Sequence, residues 1–167
     1  MNLKRKMLSM AIGLSLGLSF GFAGTASAAD GVYIPLVSKG FQHQFWQAVK
    51  SGADQAAKDF NVKVTFVGPE TEAMVDKQID MLSAALSKKP AAVGFAALDS
   101  KAATPLLKKA QAAKIPVIAF DSGVDSDIPL TTTTTDNLAA AGLAADKMAE
   151  LIGKAGEVAL VVHDQTS

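Results

Sequence analysis

His43, Phe45 and Trp46 follow a short apolar run at Gly31-Val-Tyr-Ile-Pro-Leu-Val37, and Asp121 and Ser122 follow another at Ile115-Pro-Val-Ile-Ala-Phe120. These residue types grip a small polar molecule. Aromatic rings cover the C–H patches of a sugar-like ring, while carboxylates and amides take its hydroxyls. A hydrogen bond to a carboxylate is about twice as strong as a neutral one. Asp121 is the best-placed acceptor, and a neutral, polyhydroxylated small molecule is the natural match.

Each of these residues also has a purely structural use. Phe45 starts a helical stretch and serves either a pocket or a core. Trp46 sits one position off that helix's apolar stripe, which favours pocket lining. Asp99 precedes Ser100 and a helix, so it contacts a ligand or caps the helix. Asp121 could instead close a turn before Gly123, and His43 could be a solvated loop residue rather than a donor to a hydroxyl. Glu70 reads as a solvated loop acid.

Bond-making chemistry finds no support in the spacing. No GxGxxG follows the first apolar run, and neither GxxxxGK[ST] nor GxSxG occurs. His43 and His163 are far apart, with no Cys and no HxxxH between them, so no metal or other cofactor is expected. Ser, His and Asp show no triad-like arrangement.

The elements that must position these residues alternate between two hydrophobic periods. Gly31–Val37, Val62–Val67, Ala91–Ala97 and Ile115–Phe120 read as strands. Helical stripes lie between them. Phe45, Val49, Ala53, Ala56 and Phe60 form the first, and Val75, Ile79, Leu82 and Leu86 the second. Leu106, Leu107 and Ala110 form the third, with Pro105 in its first turn. Thr131–Thr135 reads as a fifth strand, Leu138–Lys154 as an Ala-rich helix, and Val158–Val162 as a sixth strand. Strands joined through helices run parallel, and right-handed crossovers place helices on both faces. The expected fold is therefore α/β, an open doubly wound parallel sheet covered on both faces. Its ligand site lies beyond the carboxyl ends of the strands.

The N-terminus bears on location. Lys4, Arg5 and Lys6 precede an uncharged apolar stretch from Met7 to Phe22, and Ala26-Ser27-Ala28 gives a small-residue cleavage pattern. Residues 1–28 read as a secretory signal peptide, with the mature chain starting at Ala29. The absence of Cys removes both disulfides and a lipid acceptor, which points to a soluble protein of a bacterial periplasm. Without residues 1–28 the chain carries 13 basic and 16 acidic side chains, and no nucleic-acid footprint is visible. The sequence stops straight after the sixth expected strand, at His163–Ser167, and on that ground is expected to be a fragment or a truncated reading frame.

The order and spacing of several short segments resemble a known family. They are His43-Gln-Phe-Trp46, Lys50-Ser-Gly-Ala53, Gln78-Ile-Asp-Met-Leu82, Ile115-Pro-Val-Ile-Ala-Phe-Asp121 and Thr135-Asp-Asn137. The chain resembles the ribose-binding-like group of type I periplasmic binding proteins, which serve bacterial sugar ABC importers. That resemblance implies two lobes closing around a sugar, and a membrane permease as partner. It implies a first lobe at residues 29–135, a hinge crossing at Thr131–Asn137, and the start of a second lobe at 136–167. It further implies a monomer without nucleic-acid partners or enzymatic activity, and weak sugar binding by this stretch alone. Ribose binders carry Asn in place of His43 and Arg in place of Ser122. The Asp121-Ser122 pair, with Ile34-Pro35 and Gly68-Pro69, also resembles autoinducer-2 and rhamnose receptors, so a sensor feeding chemotaxis or signalling is the alternative. The candidate ligand-binding set is Lys39, His43, Phe45, Trp46, Asp99, Asp121, Ser122 and Asp136.

Overall fold

The computed structural model describes residues 31–161. The expected signal peptide, Val162 and His163 lie outside the described residues. Apolar runs and helical stripes fold as β1 (Tyr33–Val37), α1 (Gln44–Asp59), β2 (Lys63–Val67), α2 (Val75–Ser87), β3 (Val93–Phe95), α3 (Thr104–Ala112), β4 (Val117–Phe120), β5 (Thr132–Thr133) and α4 (Asn137–Leu151). Pro105 occupies the first turn of α3, where its missing N–H costs nothing. Asn61, Lys89 and Lys114 follow the C-caps of α1, α2 and α3 with φ of 50°, 51° and 57°. These left-handed residues turn the chain out of each helix toward the next strand.

The sheet has the order β2-β1-β3-β4-β5, and every pair is parallel. The chain moves from β1 outward to β2 and then crosses back to β3 on the other side of β1. Alternate strand residues therefore face different layers. Val37, Val93, Phe95 and Val117 pack with Leu82 and Ala85 of α2 and with Leu106, Leu107 and Ala110 of α3 in the main core. Burying each of these leucines stabilises the fold by roughly 1.5–3 kcal/mol.

Ile34, Leu36, Ile118 and Phe120 point to the opposite face. With Val49, Gly52, Ala53 and Ala56 of α1 they line an apolar groove of about 450 Å³. The expectation of two covered faces therefore holds fully on the α2–α3 side. On the α1 side, one helix covers only part of the sheet among the described residues. Phe60, at the end of the expected α1 stripe, is 76% exposed. α4 buries none of its residues.

Two expected strands change. Thr131–Thr135 contributes only Thr132–Thr133, paired in parallel with Ala119–Phe120. The sixth strand is not formed over residues 158–161, which have no regular structure, and Val158, Leu160 and Val161 are exposed. A strand needs a neighbour to take its N–H and C=O groups, and none pairs with this run among the described residues. No helix among the described residues is long and apolar enough to cross a membrane.

Candidate ligand site at the strand ends

The carboxyl ends of β1, β2 and β4 open into one cavity of about 590 Å³. The β1–α1 segment supplies Lys39, Gly40, Phe41, Gln42, His43, Phe45 and Trp46. The β2–α2 loop supplies Glu70, Thr71 and Glu72, and β4 delivers Asp121. Two side pockets also touch Asp121, one with Phe45 and Thr133–Thr135 and one with Ser122, Thr132 and Asn137.

The first two loops approach closely because Gly68 has no side chain. A Cβ there would lie 2.6 Å from the Gly40 carbonyl oxygen and press on Ser38 Oγ. Buried Ser38 ties the loops, its single hydroxyl proton shared between Gly40 O at 2.5 Å and Val67 O at 3.1 Å from Oγ. Below them, Gln78 of α2 is 1% exposed. Its amide nitrogen donates to Ser38 O and Ala96 O, both at 2.8 Å, and its oxygen accepts from Leu98 N at 2.9 Å. One side chain thus clasps the ends of β1 and β3.

His43 is the N-cap of α1, and its Nδ1 accepts from Phe45 N at 3.2 Å. In the neutral ring that leaves Nε2–H as the donor. The cap sets the helical phase of the two aromatics that follow. Phe45 turns outward and is 47% exposed, while Trp46 turns inward and is 1% exposed. Their rings meet edge to face with centroids 4.8 Å apart, and Trp46 meets Phe120 in the same manner at 6.3 Å. Trp46 is thus both core and cavity wall. Phe45 and the 42% exposed Phe41 are the accessible plates.

Asp121 carries a positive φ of 59°, a conformation Asp tolerates better than most residues. Ser122 N donates to Phe120 O at 2.7 Å, which closes a three-residue turn around it. Thr133 O accepts from Asp121 N at 2.9 Å, and Thr134 Oγ1 donates to Asp121 O at 2.8 Å. Such backbone costs on the order of 1–3 kcal/mol and is found where neighbours enforce it. The turn aims the carboxylate into the cavity, where Ser122 Oγ donates to Oδ2 at 3.0 Å and Lys39 Nζ lies 3.3 Å from the same oxygen. Asp121 therefore both makes a turn and presents an acid.

Lys39, His43, Phe45, Trp46 and Asp121 come together at the cavity, with Ser122 beside Asp121. Asp99 and Asp136 do not line it. Asp99 Oδ1 accepts from Lys101 N and Ala102 N at 2.9 and 2.8 Å, capping the turn that leads to α3. Asp136 is the N-cap of α4 and accepts from Ala139 N at 3.0 Å. Glu72, absent from the candidate set, also lines the cavity, and its Oε1 accepts from Trp46 Nε1 at 2.7 Å. Its position after the second strand was the available signal. Glu70 is exposed, as expected of a loop acid, yet it borders the same cavity. No cluster of three or more metal-ligating side chains occurs among the described residues.

Comparison with known proteins places the fold in a family. Residues 34–167 match the periplasmic binding protein domain family. A D-apiose import binding protein of Actinobacillus succinogenes is 26% identical over 136 residues, covering 81% of this chain and 43% of that protein. The structure of a Brachyspira murdochii protein, described as an ABC transporter, LacI family transcriptional regulator, is 45% identical with a TM-score of 0.69. The match covers 74% of this chain and 40% of that one. An Agrobacterium radiobacter carbohydrate transporter solute binding protein, solved with D-arabinose, is 36% identical at the same TM-score, with coverage of 75% and 42%. This chain thus spans less than half the length of these relatives. With the family matched over most of its length and the fold shared at this identity, the chain belongs to the periplasmic binding protein domain family.

Proposed function

We propose that this chain is the first lobe of the solute-binding component of a carbohydrate ABC importer, exported to the periplasm, where it captures a neutral monosaccharide and presents it to a membrane permease. The observation that carries this reading is the cavity at the strand ends. Phe41 and Phe45 offer exposed ring faces, and the Lys39–Asp121 pair offers a donor and an acceptor. Glu70, Glu72 and Asp121 outnumber Lys39 around it, which disfavours an anionic ligand. Relatives named for D-apiose import and solved with D-arabinose support a sugar. Family members are substrate-binding proteins, and the groups around the cavity are ones that recognise a sugar.

In this reading residues 1–28 are the export signal, 29–135 the first lobe, and 136–167 the entry to a second. Thr134 bonds the Asp121 carbonyl and lies three residues before α4. The crossing therefore leaves the lobe directly from the ligand site, so closure of a second lobe would act on the sugar through that contact.

A thermal-shift panel tests the proposal, since a ligand that binds only the folded state raises the melting temperature by mass action. Because one lobe alone grips a sugar weakly, neutral pentoses and hexoses should raise it in a concentration-dependent way only at high sugar concentration. Stabilisation by amino acids or sugar acids, with no response to any neutral sugar, would overturn the assignment.

A further inference from the structure

We propose that Glu72 is a positioning residue of the ligand site, acting through Trp46; the proposal rests on the sugar-site reading above. Trp46 is the chain's sole tryptophan and is 1% exposed. A buried indole N–H needs an acceptor, and leaving a buried donor unpaired is costly. That acceptor comes from a separate loop. Glu72 Oε1 takes the Nε1 proton at 2.7 Å across 26 residues of sequence, and a charged acceptor makes this bond strong.

The indole occupies a slot with three walls. Gly40 lies against its edge, so closely that a Cβ there would stand 3.0 Å from Cδ1 and 3.1 Å from Nε1. Phe120 of β4 and Phe45 of α1 meet it edge to face. The walls fix where the indole can lie, and the Glu72 bond selects the rotamer that brings Nε1 toward the β2–α2 loop. The same bond holds that loop against α1. Since Trp46 backs Phe45, and Phe45 is a plate of the cavity, releasing Nε1 shifts the wall on which a ligand ring rests. Glu72→Gln keeps an oxygen at the accepting position, whereas Glu72→Ala removes it.

The lone tryptophan makes the test direct. Emission and acrylamide quenching of Trp46 are compared without sugar in the wild-type chain, Glu72→Ala and Glu72→Gln. Affinities for D-arabinose, D-fucose and D-tagatose are then measured by NMR titration. Glu72→Ala should red-shift the emission, increase quenching and weaken sugar binding by about fivefold or more. Glu72→Gln should restore both readouts toward wild type. Unchanged emission in Glu72→Ala would overturn the proposal, as would lost affinity without a spectral change or a Glu72→Gln variant that behaves like the alanine. If no sugar perturbs the wild-type chain, the sugar reading fails instead, while the emission series still decides whether Glu72 positions Trp46.

Discussion

Replacing Gln78 by Met should be among the most damaging single changes in the described region, although the side chain touches no ligand. Met preserves length and approximate volume, so little cavity forms. It removes three hydrogen bonds at once, to Ser38 O, Ala96 O and Leu98 N. Ser38 and Ala96 are fully buried and Leu98 is 4% exposed, so water does not readily replace the lost partner. Each unsatisfied buried group costs about 1–3 kcal/mol, offset in part by the apolar replacement, for a net loss of about 4 kcal/mol. Against a total of roughly 5–15 kcal/mol for a domain, that is a large fraction. Urea unfolding followed by circular dichroism measures it. With a slope of about 2 kcal/mol/M the midpoint should fall by about 2 M. A control, Ser87→Ala, breaks an exposed bond to Ser83 O and should stay within about 0.5 kcal/mol of wild type. A Gln78→Met loss below about 1 kcal/mol would show that the strand ends hold without the clasp. Gln78→Glu adds a sign test. Its carboxyl can donate to one of the two carbonyls, and only when protonated, so folding favours the protonated form and raises its pKa above the unfolded value. Measured against wild type, the variant's stability should then be greatest below about pH 4 and decline as pH rises toward 7.

Three further outcomes follow from the site's geometry. Asp121→Asn keeps a side chain suited to the positive φ but loses the charge facing Lys39; sugar affinity measured by NMR titration should fall by roughly 1.5–3 kcal/mol, about 10- to 150-fold, and Asp121→Gly should abolish binding while costing little stability. Gly68→Ala should destabilise the fold by more than about 1 kcal/mol in the same urea assay, because its Cβ meets the Gly40 carbonyl. His43→Ala should cost about 1 kcal/mol through the lost N-cap, whereas His43→Asn should restore most of it.

The sheet was legible because parallel strands buried on both sides are written as short apolar runs, and the parallel order then locates the ligand edge without coordinates. Lys39, His43, Phe45, Trp46 and Asp121 could be collected from that rule alone. The helical stripe places Phe45 on the buried side and Trp46 off it, and the structure reverses the two, with Phe45 47% exposed and Trp46 1% exposed. Adjacent helix residues point about 100° apart, and the phase that buries one of them is set by the His43 cap and the tilt of α1. Glu72 was missed because its partner lies 26 residues away, a pairing that only tertiary structure makes. Gln78 lies within the Gln78-Ile-Asp-Met-Leu82 segment, but nothing in an amide on a helix announces three buried partners. Asp99 and Asp136 were ambiguous for a physical reason, since a carboxylate before a helix serves equally as cap or contact, and here both cap. The run at 158–161 carries the composition of a strand, but composition supplies no hydrogen-bonding neighbour.

The most direct measurement is a map of backbone amide NMR shifts for the chain titrated with the monosaccharide that stabilises it best. If the strand-end cavity is the sugar site, the largest perturbations fall on residues 39–46, 70–72 and 121–134, and Asp121→Asn suppresses them. Perturbations centred instead on the groove between α2 and α3, around Leu86 and Lys109, would contradict the account.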